Sequence, residues 1–215
     1  MTNSPSTRPA RADAVRNRRL LLDAAADAFA EHGTEASIAE IAQRAGIAKG
    51  TVFRHFATKE DLLAAIMGQM IDDLVAMGTR LSDAEDPAAA LLEFMTTGVE
   101  VLARDRAFCE VVGRPSLRDP GVRAGIDRLC EVAETLTDRA RRRHAIRPDI
   151  TGRDVVLLLG GVHQTAAPLL TTEPELWRRY LALVFDGIRA DATRPLPHPA
   201  PDMLRFVETD PPPGA

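Results

Sequence analysis

Residues 37–56 constrain the fold of this chain more than any other stretch. They read SIAEIAQRAGIAKGTVFRHF, in which Ser37 and the glutamate three residues later form a capping box. This pattern predicts that a helix begins at Ile38. Gly46 breaks that helix, and a second short helix is predicted over about Lys49–His55. Because glycine adopts positive φ without strain, it can turn the second helix across the first, which predicts a helix-turn-helix corner.

Helix signals also organise the sequence on both sides of this corner. Upstream, apolar residues recur at helical spacing between about Ala12 and Glu31, and a glycine supplies the helix end. Downstream, predicted N-caps lie at 58–61 (TKED), 86–87 (DP), 119–120 (DP), 151–154 (TGRD) and 172–175 (TEPE). With a short piece around Arg106–Gly113 and no credible strand, they predict an all-α fold of about nine helices.

The predicted helices form two domains between two polar ends. Residues 1–11 are rich in Ser, Thr, Pro and Arg and are expected to be a disordered basic tail. The helix-turn-helix domain is predicted over 12–60, and a larger helical domain over 61–192. Residues 193–215 hold seven of the fifteen prolines and are expected to form an extended tail.

Charge is distributed unevenly along the chain. The net charge is −4, yet residues 1–59 hold nine basic and six acidic side chains. That segment is therefore +3 and the remainder is −7. Because nucleic-acid binding needs local positive charge, the N-terminal domain suits a polyanion and the rest does not.

The sequence carries no pattern for catalysis, metal binding or membrane insertion. HExxH, a glycine-rich phosphate loop and G-x-S-x-G are missing, and the five histidines have no ligand spacing. We therefore expect no enzyme activity, no metal and no cofactor. Cys109 and Cys130 are expected to be reduced core cysteines, with a redox-sensing thiol as the alternative. Without an apolar leader or membrane span, the protein is expected to be soluble and cytoplasmic.

The second helix of the corner offers small and polar side chains to a DNA groove. The positions available to face outward are Lys49, Gly50, Thr51 and Arg54. Ser37, with the free amides of the first helix, is expected to hold phosphate, and His55 and Lys59 flank the second helix for the same purpose. The alternative is a three-helix bundle whose charges are simply solvated.

Residues 18–67 resemble the DNA-binding domain of the TetR family of regulators. The resemblance lies in the pattern AA…F…HG of the first helix, followed by IAEIAQRAGI, KGTVFRHF and TKEDLL. It implies an all-α homodimer in which each subunit reads one half-site of double-stranded DNA. It also implies that a small molecule bound to the C-terminal domain releases the DNA.

The resemblance assigns roles to residues of the corner. Base-contact positions fall on Lys49, Gly50 and Thr51, and phosphate-contact positions on Ser37, His55 and Lys59. Phe53 departs from the family, which usually has a tyrosine there whose hydroxyl donates to phosphate. We expect Phe53 to pack against a sugar or a thymine methyl, and Phe53→Tyr to leave binding unchanged or modestly tighter. Arg8 and Arg11 are expected either to reach a minor groove as a flexible arm or to belong to a solubilising tail.

Two apolar helices are predicted near the C-terminus. The stretch Asp154–Leu170 is apolar around its circumference, so it is expected to be buried on several sides. A further helix is predicted over about Glu175–Ala190. The resemblance implies that both pair with their copies in a dimer, and burial within one chain is the alternative. The expected dimer contacts are Leu158, Gly161, Leu176, Tyr180, Leu183, Val184 and Gly187.

An effector pocket is expected in the C-terminal domain. Its candidate walls are apolar or flexible side chains, with two polar residues to orient a small, mostly apolar ligand. They are Met70, Met77, Phe94, Met95, Phe108, Cys109, His163 and Gln164. Plain core packing is the alternative for the apolar members, and hydrogen bonding to neighbouring helices for the two polar ones.

Together these features predict a ligand-responsive repressor that binds a pseudo-palindromic operator as a homodimer. Two recognition helices about 34–36 Å apart would then read two half-sites. A transcriptional activator and a low-specificity architectural DNA-binding protein are the alternatives. Equal affinity for random DNA would separate the architectural protein from a regulator.

Overall fold

The computed structural model describes residues 8–104, 119–191, 194–202 and 204, with the backbone alone described for residues 8–17, 30 and 34. Within these ranges the chain forms eight α-helices, which confirms the predicted all-α fold. They are α1 (Arg8–His32), α2 (Ile38–Arg44), α3 (Lys49–His55), α4 (Lys59–Leu81), α5 (Pro87–Arg104), α6 (Pro120–Arg142), α7 (Gly152–Ala166) and α8 (Leu176–Ile188). Short 3-10 turns follow α1 and α7. The helix predicted around 106–113 lies outside the described residues.

The chain divides into two compact units. Among the described residues, the first combines 8–73 with 100–104 and 119–126, and the second combines 74–99 with 127–191, 194–202 and 204. The sequence instead predicts a single boundary near residue 60, where α4 begins. The first turns of α4 bury Leu62 and Ile66, so they belong with the helix-turn-helix helices.

The core of the first unit forms around α1. Leu21, Ala25, Ala28 and Phe29 recur at helical spacing, and each is inaccessible to solvent. The other helices of this unit contribute Ile41, Ala42, Val52, Phe56 and Leu62. Gly33, with a φ of +58°, ends α1 in the left-handed conformation that the sequence predicts.

Helix α1 begins earlier than the sequence predicts. It starts at Arg8, whereas the predicted start is near Ala12 and the preceding residues are expected to be disordered. Pro9 falls in the first helical turn, where a missing N–H costs no hydrogen bond, and the alanine and arginine after it favour helix. Arg8 and Arg11 therefore lie within α1.

Side-chain caps fix the starts of the four helices α4, α5, α6 and α7 where the sequence predicts them. Thr58 and Asp61 cap α4 reciprocally, each side chain accepting a hydrogen bond of 3.0 Å from the other residue's amide. Asp86 and Asp119 accept from first-turn amides of α5 and α6. Thr151 and the aspartate three residues later form a complete capping box at α7.

The capping box predicted at Thr172 is wrong. Helix α8 begins at Leu176 after Glu175, and no side chain caps it. The Thr172 hydroxyl instead donates to the carbonyl of Leu169 at 3.1 Å. The turn that follows α7 extends past Thr172, so Pro174 precedes α8 and does not occupy its first turn.

The core of the second unit is packed between α5, α6, α7 and α8. Its largest fully buried side chains include Phe94, Met95, Leu136 and Trp177. Cys130 is buried as predicted, and burial raises the pKa of its thiol. Gly152 is required at the start of α7, because a Cβ there would lie 2.2 Å from a backbone nitrogen of α6.

Helix α7 is buried on one side only within this chain. Val155, Leu159 and Val162 point into the core, whereas Leu157 is 44% exposed and Gln164 is exposed. Among the described residues the single chain therefore covers one side of α7, which leaves the predicted burial on several sides to a second copy, and Gln164 is exposed although the sequence places it in a buried helix. Helical spacing places the exposed residues on a separate face of the helix, which stays open in the described part of the chain.

Among the described helices, α4 alone has the length and apolar composition of a membrane span. Core helices of soluble proteins pass the same test, so this is weak evidence for a membrane. Leu63, Met67 and Ile71 of α4 are buried, while Asp72 and Asp73 are exposed. Packing inside the protein therefore accounts for its apolar side.

Candidate nucleic-acid interface

The corner between α2 and α3 forms where its sequence predicts it, although the capping box is only half made, because the Glu40 carboxylate pairs with Arg44. Ser37 precedes α2, and its Oγ accepts from the amide of the third residue after it at 3.1 Å. Gly46 has a φ of +65°, and the amide of Ile47 donates to the carbonyl of Ala42 at 3.0 Å, which closes the turn. Val52 of α3 is fully buried. One side of α3 is thereby fixed to the core, and its other side faces solvent.

An ion-pair network ties α2 to the end of α1. The guanidinium of Arg44 donates to the carboxylate of Glu31 on α1 and, at 2.9 Å, to that of Glu40 on α2. The hydrogen bond from Arg44 lowers the pKa of Glu31, and the same bond raises the pKa of Arg44. Nδ1 of His32 lies 3.3 Å from a Glu40 oxygen. The network therefore holds α2, and with it the corner, against α1.

The same network contains a possible set of metal ligands in the described part of the chain. Glu31, His32 and Glu40 bring one ligand atom each within 4.8 Å of one another. Two carboxylates and an imidazole suit Zn²⁺, but an ion would have to displace Arg44 from both carboxylates. We therefore assign the cluster a structural role.

The outer side of α3 carries the side chains that the sequence predicts for DNA contact. Its exposed residues are Lys49, Gly50, Phe53, Arg54 and His55, and Thr51 is half-buried. Phe53 is 49% exposed in the middle of this face. Helix α3 therefore presents a surface that combines an apolar ring with several basic side chains.

Two of the cations are held by contacts within α3. Nζ of Lys49 lies 5.8 Å from the centroid of the Phe53 ring, one helical turn away, in a cation–π arrangement. Arg54 donates from Nη2 to Oγ1 of Thr51 at 3.1 Å and from Nε to the carbonyl of Gly50 at 3.4 Å. Lys49 therefore stands beside the exposed ring, whereas Arg54 lies back along the helix.

Packing among the described residues does not require glycine at position 50. A Cβ placed on it meets no heavy atom within 4 Å. Glycine nevertheless costs a helix about 0.5–1 kcal/mol relative to alanine. The open space above Gly50 therefore suits the close approach of another molecule.

The residues predicted for phosphate contact flank α3. Ser37 and His55 are exposed, and Nζ of Lys59 lies 5.5 Å from the centroid of the Phe29 ring. The structure also places a cation of α1 at the end of α3, which the sequence does not predict. Cζ of Arg18 lies 5.2 Å from the centroid of the Phe56 ring. No spacing rule connects α1 with the end of α3, so only folding reveals this neighbour.

Comparison with known proteins decides the family. Residues 21–66 match the family described as "Bacterial regulatory proteins, tetR family", and residues 86–190 match "Transcriptional regulator SbtR-like, C-terminal domain". The solved TetR transcription regulatory protein from Mycobacterium vanbaalenii is 31% identical, with a TM-score of 0.64. The match covers 84% of this chain and 99% of that protein. The chain belongs to the TetR family.

Other TetR-family proteins are similar over different shares of their length. The TetR transcriptional regulator SCO0520 from Streptomyces coelicolor is 26% identical with a TM-score of 0.64, covering 81% of this chain and 99% of that one. The HTH-type transcriptional repressor Rv3405c of Mycobacterium tuberculosis is 39% identical over 108 residues, 50% of this chain and 55% of that protein. The chain thus spans about half the length of this curated relative. The resemblance seen in the sequence is confirmed at the level of the family.

The C-terminal helices of this TetR-family chain keep an apolar face open. All residues predicted for dimer contact are half-buried or exposed: Leu158, Gly161, Leu176, Tyr180, Leu183, Val184 and Gly187. Leu183 is 58% exposed, and Leu157, which the sequence analysis did not select, lies on α7 two turns before Gln164. A Cβ at Gly160, Gly161 or Gly187 would meet nothing within 4 Å. Intrachain packing therefore leaves this surface uncovered among the described residues.

A cavity of about 280 Å³ lies in the second unit between α5 and α8. Its apolar lining includes Leu92, Trp177, Leu181 and Phe185. The polar lining residues are Thr96, Arg178, Asp186 and Arg189. None of the residues predicted for the effector pocket lines it.

The residues predicted for an effector pocket differ in burial. Phe94, Met95 and His163 are buried, Met70 and Met77 are half-buried, and Gln164 is exposed. Phe108 and Cys109 lie outside the described residues. Burial lowers the pKa of His163, which favours the neutral imidazole. The pocket formed by these residues stays a prediction.

Proposed function

We propose that this TetR-family protein is a ligand-responsive, cytoplasmic transcriptional repressor that binds a pseudo-palindromic DNA operator as a homodimer. The outer face of α3 carries the proposal, because Lys49, Gly50 and Phe53 stand exposed on a helix whose inner side is fixed by Val52. A short, firmly held helix with such a face fits the major groove. The similar mycobacterial protein Rv3405c is itself named a repressor.

The proposed contacts divide into those that specify sequence and those that position the protein. Lys49, Gly50 and Thr51 are assigned to base edges, with Phe53 and Arg54 beside them. Ser37, His55 and Lys59 are assigned to phosphates. The Ser37 oxygen accepts a hydrogen bond within the chain, which leaves its hydroxyl proton free to donate to a phosphate oxygen.

A second copy of the chain is proposed to cover the open face of α7 and α8. Leu157 and Leu183 would leave water on association, which is the main driving force for such contacts. The glycines at 160, 161 and 187 leave room for the copy's helices to approach closely. Two joined copies place two α3 helices on one duplex, and a pseudo-palindrome presents the same half-site to each.

The proposed effector is small and mostly apolar and binds in the second unit. It lowers DNA affinity only if it binds the DNA-free conformation more tightly than the DNA-bound one. The apolar cavity between α5 and α8 and the residues predicted from the sequence are the two places to look for it.

Selection of bound duplexes from a random DNA pool tests the proposal. A regulator yields a palindromic consensus whose half-sites lie about one helical turn apart. An architectural protein yields no enriched sequence, and this result would overturn the proposal. Loss of the gene should raise transcription beside the selected site, whereas an activator would show the opposite change.

Two lysine variants test the division of contacts. Lys49→Ala should change the selected consensus, because it removes a base contact. Lys59→Ala should weaken binding to consensus and scrambled duplexes alike and reduce the salt dependence. Because Lys59 lies over Phe29, its variant is compared with the native chain by circular dichroism first.

A further inference from the structure

We propose that Phe53 and Lys49 form a reading pair that selects a thymine and a nearby guanine in each operator half-site. This inference rests on the proposed DNA-binding function and names the bases that α3 would read. It follows from the exposure of Phe53, the position of Lys49 beside it, and the different orientation of Arg54.

Phe53 supplies the thymine contact. The other phenylalanines of the described first unit, Phe29 and Phe56, are buried, whereas Phe53 is half-exposed on the outer face of α3. A phenyl ring cannot donate to phosphate, and beyond its contact with Lys49 it gains stability by leaving water against an apolar group. In the major groove that group is the C5-methyl of thymine.

Lys49 supplies the guanine contact. Its ammonium has three donors on a flexible stem, and the cation–π contact with Phe53 restricts where those donors lie. Guanine presents two acceptors, N7 and O6, in the major groove, whereas adenine pairs one acceptor with a donor. An ammonium held beside the ring therefore favours guanine over adenine.

Arg54 does not compete for the same guanine in this arrangement. Its guanidinium donates to Thr51 and to the carbonyl of Gly50, so it points back along α3. The Lys49 ammonium, by contrast, stands on the exposed ring. Arg54 is thus oriented by Thr51 and the Gly50 carbonyl, while Lys49 is oriented by Phe53.

The distance between the two groups sets the spacing of the two bases. Nζ of Lys49 and the Phe53 ring centroid are 5.8 Å apart. Stacked base pairs lie about 3.4 Å apart along the duplex. The thymine is therefore expected one or two base steps from the guanine.

Single-atom changes in the DNA test the pair without altering the protein. The full chain is titrated with the consensus duplex selected from a random pool. Each thymine in turn is replaced by deoxyuridine, which lacks the methyl, and each guanine by 7-deazaguanine, which lacks the N7 acceptor. We expect one thymine per half-site whose replacement weakens binding about three- to fivefold. We expect one guanine, one or two steps away, whose replacement weakens binding about tenfold.

Protein variants then assign each effect to its side chain. Phe53→Ala should remove the deoxyuridine effect and reduce the 7-deazaguanine effect. Phe53→Leu keeps an apolar group but loses the ring, so it should keep the deoxyuridine effect and reduce the 7-deazaguanine effect. Lys49→Ala should remove the 7-deazaguanine effect and keep the deoxyuridine effect. His55→Ala removes a proposed phosphate contact on the same helix, so it should weaken binding to every duplex alike and keep both affinity ratios.

The outcomes separate the reading pair from the proposed function. A consensus in which no thymine responds to deoxyuridine overturns the pair and leaves sequence-specific binding intact. The same holds if Phe53→Ala keeps the full deoxyuridine effect. Selection that gives no consensus overturns the proposed function and the pair together. Because Phe53 is half-exposed, its variants are expected to fold, which circular dichroism checks.

Discussion

At the scale of single residues, the corner contains two glycines with different purposes. Gly46 has a φ of +65°, a conformation that costs an L-residue about 1–2 kcal/mol, so the backbone itself requires glycine. Gly50 lies within α3 in open space, and neither strain nor packing in the chain requires it. We therefore propose that glycine is needed at this position because DNA approaches α3 closely there.

Gly50→Ala separates stability from binding. The variant should raise the free energy of unfolding by about 0.5–1 kcal/mol, because alanine favours helix over glycine. It should also weaken binding to the consensus duplex, because the new methyl occupies the space proposed for DNA. Urea denaturation and a fluorescence anisotropy titration measure the two effects. Gly68→Ala on α4, equally free of neighbours, is the control and should raise stability alone. Undiminished DNA affinity in Gly50→Ala would contradict the assignment.

Asp149 anchors the segment that follows α8. Its carboxylate accepts two hydrogen bonds from the Arg147 guanidinium, at 2.5 and 2.9 Å, and one from the amide of Leu196 at 3.0 Å. Arg147 also donates to the carbonyl of Arg194 at 2.6 Å. The hydrogen bonds from Arg147 and then Leu196 lower the pKa of Asp149 to about 2.

This pKa gives a pH-dependent prediction for Asp149→Asn. The folded-state pKa lies below the ordinary value of 3.8, so the ionised carboxylate stabilises the fold fully above about pH 4. That contribution is lost as the pH falls towards 2. The variant should therefore be less stable than the native chain at pH 7, and the difference should shrink below pH 4. Urea midpoints at pH 7, 5 and 3 measure it, and a difference that does not change with pH would refute the explanation.

At the scale of elements, side-chain caps set where several helices begin. The cap residues and their amides lie within four positions of one another, so the local sequence determines them. This is why the starts of α4, α5, α6 and α7 were predictable. At Thr172 the same sequence pattern does not form a cap, because the threonine hydroxyl donates a hydrogen bond within the turn that follows α7.

Two threonine variants compare a true cap with the false one. Thr151→Ala removes the cap of α7 and should cost about 1 kcal/mol of unfolding free energy. Thr172→Ala removes one exposed hydrogen bond outside any helix and should change stability by less than about 0.5 kcal/mol. Urea denaturation at neutral pH measures both. Equal losses in the two variants would show that Thr172 caps α8 after all.

The sequence predicted the site less completely than the helices. The α2–α3 corner and the exposed residues of α3 follow from local pattern and turn chemistry. The contact of Arg18 with Phe56 depends on long-range packing, which spacing does not encode. The residues alone did not predict the open face of α7, because an apolar residue looks the same in sequence whether its own chain or a second copy covers it; only the family resemblance implied a dimer.

At the scale of the whole molecule, the proposed dimer explains why leucines of α7 and α8 are exposed to solvent in the single chain. Leu183→Glu places a charge at the centre of the open face of α8 and should shift the protein towards monomers. Leu20→Glu, at a leucine that is 49% exposed on α1, is the matched control and should leave the oligomeric state unchanged. Sedimentation velocity over a range of concentrations measures both. If the Leu183→Glu protein stays dimeric, the dimer interface lies elsewhere on the protein.

The central proposal is that α3 recognises sequence, and the ratio of two affinities tests it most directly. The full chain is titrated with the selected consensus duplex and with a scrambled duplex of equal length and composition, across a range of salt concentrations. Both affinities should fall as salt rises, because phosphate contacts release counterions. The consensus should remain at least about a thousandfold tighter at physiological salt. Equal affinities for the two duplexes would contradict the account.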